Sequence, residues 1–480
     1  KATQRKARRE REKGMVKPRS LVKRGPFAYT QRMCAWKFHF VTFGCKVNQY
    51  ETQALREAWT AQGGTECDSP DAADVVCINS CAITARGERD ARNALFRVRR
   101  DAPGARVLLT GCAARLVAGQ TAAGRDAPDA VIVQEAKSRL LAGPESVADG
   151  LTDTADADAA FPPFEISGFR RARPVLKVQD GCRHRCTYCI VPLTRGACRS
   201  RDPFDAIREA RRLLEAGYAE LMISGINLRQ YGRDKAEYGD FWSLLQRLDA
   251  ALAPEFAGRA RLRISSLEPS QLDARGLDIL RGCRMVCPHL HISLQHASPA
   301  VLRRMGRGHY SADMLEQAVH ELRAHWPVMA LGADLLLGFP GESEEDARCL
   351  LDFVERMPFS YAHVFPYSRR PGTAADRMDG QLPQQLKQER AARVRAAVTE
   401  RQEAFREAQL RLPRLLAAPE APMQDGRPRN RPFKGVNEYY VPCLLPPEAA
   451  QAAETHRLIP VRPLELTPKG LRVALLDEAR

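Results

Sequence analysis

The 480-residue sequence has no apolar run long enough to cross a bilayer. Its most apolar stretch, residues 328–339, is twelve residues long and contains Asp334, against the roughly 20 residues a spanning helix needs. It also lacks the apolar core of a secretory signal, because nothing of that kind follows the basic N-terminus. A chain without either feature is expected in the cytoplasm, free of any membrane. There thiols are kept reduced, so the fourteen cysteines are poorly explained as disulfides and point to metal or cluster ligation. A content of 44% hydrophobic and 28% charged residues excludes a disordered or fibrous protein. The length suggests about three domains at roughly 150 residues each.

The net charge of +16 is unevenly placed. Residues 1–32 hold twelve Lys/Arg and two Glu, so +10 sits on this arm and +6 on the remaining chain. The body is thus only mildly basic, which is compatible with an RNA ligand. Residues 1–36 show no apolar periodicity and read as a disordered basic arm, with Met33 the expected true start of the protein.

From Lys37 the pattern becomes regular. Short apolar runs at 38–44, 74–79 and 106–111 read as buried parallel strands, followed by helical segments such as 50–62 and 86–99. This alternation predicts an α/β, flavodoxin-like doubly wound parallel sheet over residues 37–142. Each strand runs directly into a cysteine: Cys45, Cys81 and Cys112. Loops beyond the carboxyl ends of such strands converge on one crevice. Three thiolates delivered there suit three irons of a 4Fe–4S cluster and leave the fourth iron open. Residues 143–173 form a linker, first acidic and Ala-rich, then Phe161-Pro162-Pro163-Phe164 and a basic stretch.

The strongest signal follows. Cys182, Cys186 and Cys189 form a CxxxCxxC triplet in one loop after a predicted strand. Spacings of four and three residues let the loop wrap a cuboidal cluster, again with one iron free. A zinc site would want a fourth Cys or His, and His184, between two of the cysteines, is badly placed to serve. The remaining eight cysteines, Cys283 and Cys287 included, lack such spacing and read as structural.

This loop, with Tyr188 before its last cysteine, resembles that of the radical S-adenosylmethionine (SAM) enzymes. The resemblance implies that SAM chelates the open iron and is cleaved by one electron to a 5′-deoxyadenosyl radical. Over 174–410, predicted strands at 174–179, 220–224, 261–266, 289–294, 329–337 and 361–365, with helices at 205–216, 241–252, 311–325 and 344–356, fit the partial (β/α)6 barrel of that superfamily. Its active site belongs at the carboxyl ends of the strands. By position, Tyr188, Ser224, Gly225, Asn227, Ser266, Glu268, Gln295 and Gly338 are the SAM-binding candidates.

Two three-cysteine sites in this order resemble the radical SAM methylthiotransferases over about residues 37–378. The shared blocks are Gly44-Cys45-Lys46-Val47-Asn48-Gln49-Tyr50-Glu51, Asn79-Ser80-Cys81-Ala82, Gly111-Cys112, the Cys182 loop, Ile264-Ser265-Ser266-Leu267-Glu268-Pro269, His291-Ile292-Ser293-Leu294-Gln295, and His363 to Ser368 with Arg370-Pro371-Gly372-Thr373. The first and last are similar to the MtaB-type branch. That branch converts N6-threonylcarbamoyladenosine, 3′ of the tRNA anticodon, to its 2-methylthio derivative. The resemblance implies two 4Fe–4S clusters, one SAM-cleaving on Cys182, Cys186 and Cys189 and one presenting sulfur on Cys45, Cys81 and Cys112. SAM is then both radical source and methyl donor. The implied partners are the tRNA anticodon loop, a low-potential electron donor such as flavodoxin or ferredoxin, and a sulfur donor, acting on a monomer. Rival readings are the same chemistry on isopentenyladenosine tRNA or a ribosomal-protein aspartate, and a non-catalytic electron-transfer or iron-sensing RNA-binding protein.

Residues 384–411 show a long charged helical pattern with one apolar face. The region 411–480 reads as a small β-rich domain, a diverged version of the family's RNA-gripping TRAM barrel without its opening strand, with strand-like runs at 438–445, 457–466 and 470–476. Arg370, Arg427, Arg429, Arg431 and Lys434 are the candidate RNA contacts, and Tyr439 and Tyr440 candidate surface aromatics.

Overall fold

The computed structural model describes residues 36–118, 127–152, 160–420, 432–450 and 458–476. The basic arm, the expected start at Met33 and the candidates Arg427, Arg429 and Arg431 lie outside the described residues.

Six parallel strands open the described chain: β1 (Trp36–Thr42), β2 (Gly64–Glu66), β3 (Val75–Ser80), β4 (Arg106–Gly111), β5 (Ala130–Ile132) and β6 (Gly150–Thr152). Their spatial order is β2-β1-β3-β4-β5-β6, the flavodoxin-like order extended by one strand. β6 lies within the stretch read as linker, so the sheet runs past residue 142. β3 is buried at all six positions, which explains its unbroken Val-Val-Cys-Ile-Asn-Ser sequence. Its alternate residues feed two cores. Cys77 joins Phe38, Leu55 and Trp59 on one face, whereas Val76 and Ile78 meet Leu95 and Val107 on the other. The crossover helices are Lys46–Ala61 and Ala85–Asp101. The first begins four residues earlier than its predicted start, directly after Cys45.

The next six strands are β7 (Val175–Lys177), β10 (Glu220–Ser224), β11 (Arg261–Ile264), β12 (His289–Gln295), β13 (Ala330–Leu337) and β14 (Phe359–Pro366). They form two parallel sheets, β11-β10-β7 and β12-β13-β14. Bridges Leu262↔Val286 and Leu267↔Ile292 carry the wall from one sheet to the other, giving the expected partial barrel. β7 is short because the chain then leaves the barrel: β8 (Gln179–Asp180) pairs antiparallel with β9 (Arg199–Ser200), cinching the cysteine loop between them. The predicted helices are present, and Val191–Arg195, Ala274–Gly282 and Pro299–Arg304 add three that apolar periodicity did not suggest.

After the 26-residue helix Gln384–Gln409 come β15 (Leu415–Pro419), β16 (Phe433–Asn437), β17 (Pro442–Leu445), β18 (Ile459–Thr467) and β19 (Gly470–Leu475). They close into a five-stranded barrel, β15-β16-β17-β19-β18. The opening strand that the sequence hides is β15. Its Leu-Leu-Ala-Ala-Pro is too short and bland to read, yet Leu415 and Ala417 are fully buried. The run 438–445 is not one strand. Asn437 Oδ1 accepts from the backbone N–H groups of Tyr439 (3.1 Å) and Val441 (3.0 Å), forming a turn that puts Tyr440 at a φ of 64°. This small barrel is clamped to the large one by Arg261 and Arg263. Both guanidiniums pair with the buried Glu220 and donate onward to the carbonyls of Leu416, Val436, Asn437 and Glu438.

Candidate active site

Cys45, Cys81 and Cys112 sit immediately beyond β1, β3 and β4. They are brought together: Cys112 and Cys45 both act electrostatically on Cys81, and Cys112 on Cys45. Close approach is built in through glycine. A Cβ on Gly44 (φ 87°) would lie 2.8 Å from the Cys81 sulfur, and one on Gly111 (φ 91°) would run into the Ser80 backbone. Asn48 braces the loops by donating to the carbonyls of Phe43 and Ser80, both at 2.9 Å. Burial holds the Cys45 thiol above its usual pKa and pushes Cys81 up to about 11.

The second triplet lies in the loop after β8. Gly181 (φ 66°) turns the chain, and the Cys182 N–H donates to Gly196 O at 3.1 Å. His184 N–H and Asn227 Nδ2 point at the Cys182 sulfur, at 3.4 and 3.7 Å. Thr187 ties the loop to the Arg304 and Met305 carbonyls. Burial pushes Cys189 up to about 12 and raises Cys182.

The donor chemistry fits iron–sulfur clusters better than single ions. Among the described residues the one group with three donor atoms all within 4.8 Å of each other is His184, Glu268 and His309. Neither thiol triplet closes to the spacing that Zn–S bonds of about 2.3 Å would require, as a larger cluster demands.

A buried ionic seam joins the segments that carry the two thiol sets. Ile190, next to Cys189, packs in the same apolar cluster as Cys112. Arg195, six residues past Cys189, is fully buried. It donates to Cys112 Sγ (3.2 Å), Glu51 Oε1 (3.0 Å), Asp180 Oδ1 (2.8 Å) and Asn48 Oδ1 (2.6 Å). Lys137 and Lys177 complete the seam on Glu51, at 2.6 and 2.7 Å. With Arg199 3.9 Å from Asp180, four buried cations meet two buried carboxylates, and of these cations Arg195 lies against Cys112. Although burial opposes it, Arg195, Lys137 and Lys177 together hold the Glu51 carboxyl well below its ordinary range.

Around the Cys182 loop the structure gathers several of the candidate SAM residues. Glu268 is 2% exposed, is touched by Asn227 Nδ2 (3.2 Å) and His309 Nε2 (2.9 Å), and has Arg307 at 3.5 Å. Burial works against its charge, but the hydrogen bond from His184 and the Arg307 charge bring its pKa down to about 2. Tyr188 is held by Arg307 Nε at 2.9 Å. Ser224 accepts from Ser265 Oγ at 3.1 Å. Gly225 leaves no room for a Cβ beside Gln179, and Gln295 closes β12 with a φ of 67°. Gly338 donates its N–H to Glu342 (2.7 Å) and backs onto Lys387 of the long helix. Ser266 lies half-buried on the loop after β11. His309, Arg307 and Arg195 carry no motif signal in sequence and emerge only here, and His184, set aside in sequence as a zinc ligand, serves instead as a partner of Glu268.

Three candidates for RNA contact are corrected. Arg370 is 3% exposed and paired with Glu88 of the N-terminal sheet domain, a tie between lobes and not a free surface cation. Tyr439 packs on Phe405, and Tyr440 lies beneath Arg173 and Arg263; neither is a free aromatic. Lys434 is exposed on β16. Cys77, Cys198, Cys287 and Cys443 are buried and free, consistent with structural roles.

Residues 176–354 match the radical SAM superfamily, and residues 37–133 match the family described as uncharacterized protein family UPF0004. The threonylcarbamoyladenosine tRNA methylthiotransferase MtaB of Bacillus subtilis is 35% identical over 74% of this chain and 78% of its own length. The chain belongs to the radical SAM methylthiotransferase family. The MtaB protein of Aquifex aeolicus, 34% identical over 74% of this chain and 86% of that one, agrees. Among solved structures, the radical SAM methyltransferase TsrM of Kitasatospora setae shares the fold. It has a TM-score of 0.53 at 16% identity, over 71% of this chain and 77% of that one. The UPF0004 match covers Cys45, Cys81 and Cys112, and the radical SAM match covers the CxxxCxxC triplet. Among the described residues no helix is long and apolar enough to cross a membrane.

Proposed function

We propose that this methylthiotransferase converts N6-threonylcarbamoyladenosine, beside the anticodon of cytoplasmic tRNA, to 2-methylthio-N6-threonylcarbamoyladenosine. The observation that carries the reading is the joining of two open three-thiol cradles by one buried seam, in a chain whose relatives are named for that reaction. Cys182, Cys186 and Cys189 would hold the SAM-cleaving 4Fe–4S cluster, and Cys45, Cys81 and Cys112 the second cluster. When bound, these groups and SAM supply a radical able to take hydrogen from the unactivated adenine C2–H, and the sulfur and methyl group that replace it.

The chain's own residues do the positioning. Glu268, ionised at neutral pH and fixed by Asn227, His184 and His309 beside Cys182, offers a buried acceptor to the cationic and hydroxyl groups of SAM. Tyr188, Ser224, Gly225, Ser266, Gln295 and Gly338 would shape the rest of its pocket. Arg195 sets the Cys112 sulfur and couples the two walls. A target base in an anticodon loop is splayed out at a cost of only a few kcal/mol, and exposed Lys434 is positioned to meet the phosphates. The enzyme would act as a monomer served by flavodoxin or ferredoxin and by a separate sulfur donor.

The test is mass spectrometry of nucleosides from bulk tRNA of a strain lacking this protein and its parent. Loss of the methylthio nucleoside with accumulation of its unthiolated precursor is expected. Loss of the isopentenyl derivative instead would move the substrate to the other tRNA branch, and no change in either would remove tRNA as the target.

A further inference from the structure

Beside Cys45 the barrel wall carries a graded aromatic ladder that the cluster cradles do not use. Along β14, Tyr361, His363 and Phe365 occupy alternate positions of one face, their ring centroids 5.6 and 6.3 Å apart. The ladder runs from half-buried Tyr361 to exposed His363 and to Phe365 at 44% exposure. Its inner end is fixed: the Tyr361 hydroxyl is hydrogen-bonded to His289 Nε2 (2.9 Å) and His291 Nδ1 (3.0 Å). Gly332 on β13 lets the ring lie across the sheet, since any Cβ there would overlap it. The rings are inclined to one another, by 63° between Tyr361 and His363 and 45° between His363 and Phe365, so a base would stack on one exposed face, that of His363 or of Phe365, at an RNA enzyme's crevice.

The arginines around this platform are paired, and its one carboxylate has a histidine neighbour. Arg263 is paired with Glu220 (2.7 Å), Arg173 with Glu420 (3.2 Å), and Asp334 with His291 (3.2 Å). Lys46, the residue after Cys45, makes no ion pair among the described residues. Its ammonium lies 5.9 Å over the Tyr440 ring, within the electrostatic reach of Asp334 and His363. A half-buried cation without an ion-pair partner among the described residues, beside exposed ring faces, is complementary to a planar ligand that carries one anionic substituent.

We infer that Lys46 selects the substrate by receiving the carboxylate of the substituent on N6 of the adenine, while the base stacks on His363 or Phe365. This rests on the proposed function, because threonylcarbamoyladenosine carries such a carboxylate whereas adenosine and isopentenyladenosine do not. A phosphate of the RNA backbone could also meet Lys46. That contact exists in every loop and so would not discriminate among them.

The experiment measures dissociation constants of the reconstituted enzyme for anticodon stem–loops bearing threonylcarbamoyladenosine, its carboxyl methyl ester, or unmodified adenosine. The wild-type enzyme should prefer the acid over the other two by about tenfold, the scale of one charge-assisted contact. Lys46→Gln should bring the ratio to within about twofold, and Lys46→Arg should restore most of it. Iron content and circular dichroism of each variant establish that it is folded and loaded. If Lys46→Gln keeps the preference, or the ester binds as well as the acid, the role of Lys46 is overturned while the substrate reading stands. If the wild-type enzyme binds the threonylcarbamoyladenosine loop no better than the unmodified adenosine loop, the substrate reading falls and this inference with it.

Discussion

Replacing Arg195 should separate the electrostatic role of the seam from simple packing. Its guanidinium serves four buried acceptors: Cys112 Sγ, Glu51, Asp180 and Asn48. Removing one partner of a buried ionic network costs about 3–5 kcal/mol. Here Lys137 and Lys177 still face the two carboxylates after the change, so Arg195→Leu should fall near the lower figure, about 3 kcal/mol. Arg195→Lys keeps the charge but has three donors for four acceptors, and should cost about 1 kcal/mol, one hydrogen bond's worth. Urea unfolding of the anaerobic apoprotein would report this through Trp59, fully buried against Phe38 and Phe40. Loss of the positive charge beside Cys112 should also empty the first thiol site. After reconstitution, Arg195→Leu in a Cys182/Cys186/Cys189→Ala background should hold almost no iron, while Arg195→Lys retains most of it. A Leu variant within about 1 kcal/mol of wild type, or a Lys variant as damaged as the Leu one, would refute the reasoning.

Other outcomes follow from the same geometry. Cys81→Ala and Cys186→Ala should each lower iron from about eight to about four per chain, and only the second should abolish SAM cleavage, as read by deoxyadenosine release. His296 is fully buried, and desolvation brings its pKa from 6.5 to about 4. Between those values the unfolded chain holds the extra proton, so stability is intact above about pH 6.5 and falls by about 3 kcal/mol as pH drops toward 4. His296→Gln should flatten that part of the stability profile in urea titrations at successive pH values. Gly181→Ala places a side chain at a φ of 66° against the Ala197 carbonyl. It should cost upwards of about 2 kcal/mol and weaken iron retention at the CxxxCxxC loop, measurable by chelator release.

Much of the design is local and was therefore readable along the chain. Strands announce themselves by short apolar runs and helices by their repeat, so β10 and the helix Glu344–Arg356 fall at the residues predicted. The CxxxCxxC triplet is local, and each of the other three cysteines follows a predicted strand, so both sets stand out along the chain as ligand candidates. What joins distant segments leaves no such trace. Arg195 looks like any arginine after a turn until the fold sets it against Cys112, 83 positions earlier. Glu51 sits inside a helix as an ordinary charge until Lys177, 126 positions later, meets it in the dry interior. Arg370 reads as a surface cation and is instead a buried tie to Glu88. β15 is legible only through its pairing with β16 and with β18. Periodicity is set by the backbone's own repeat, whereas the partner of a buried charge is chosen by which surfaces pack together, and that choice exists only in three dimensions.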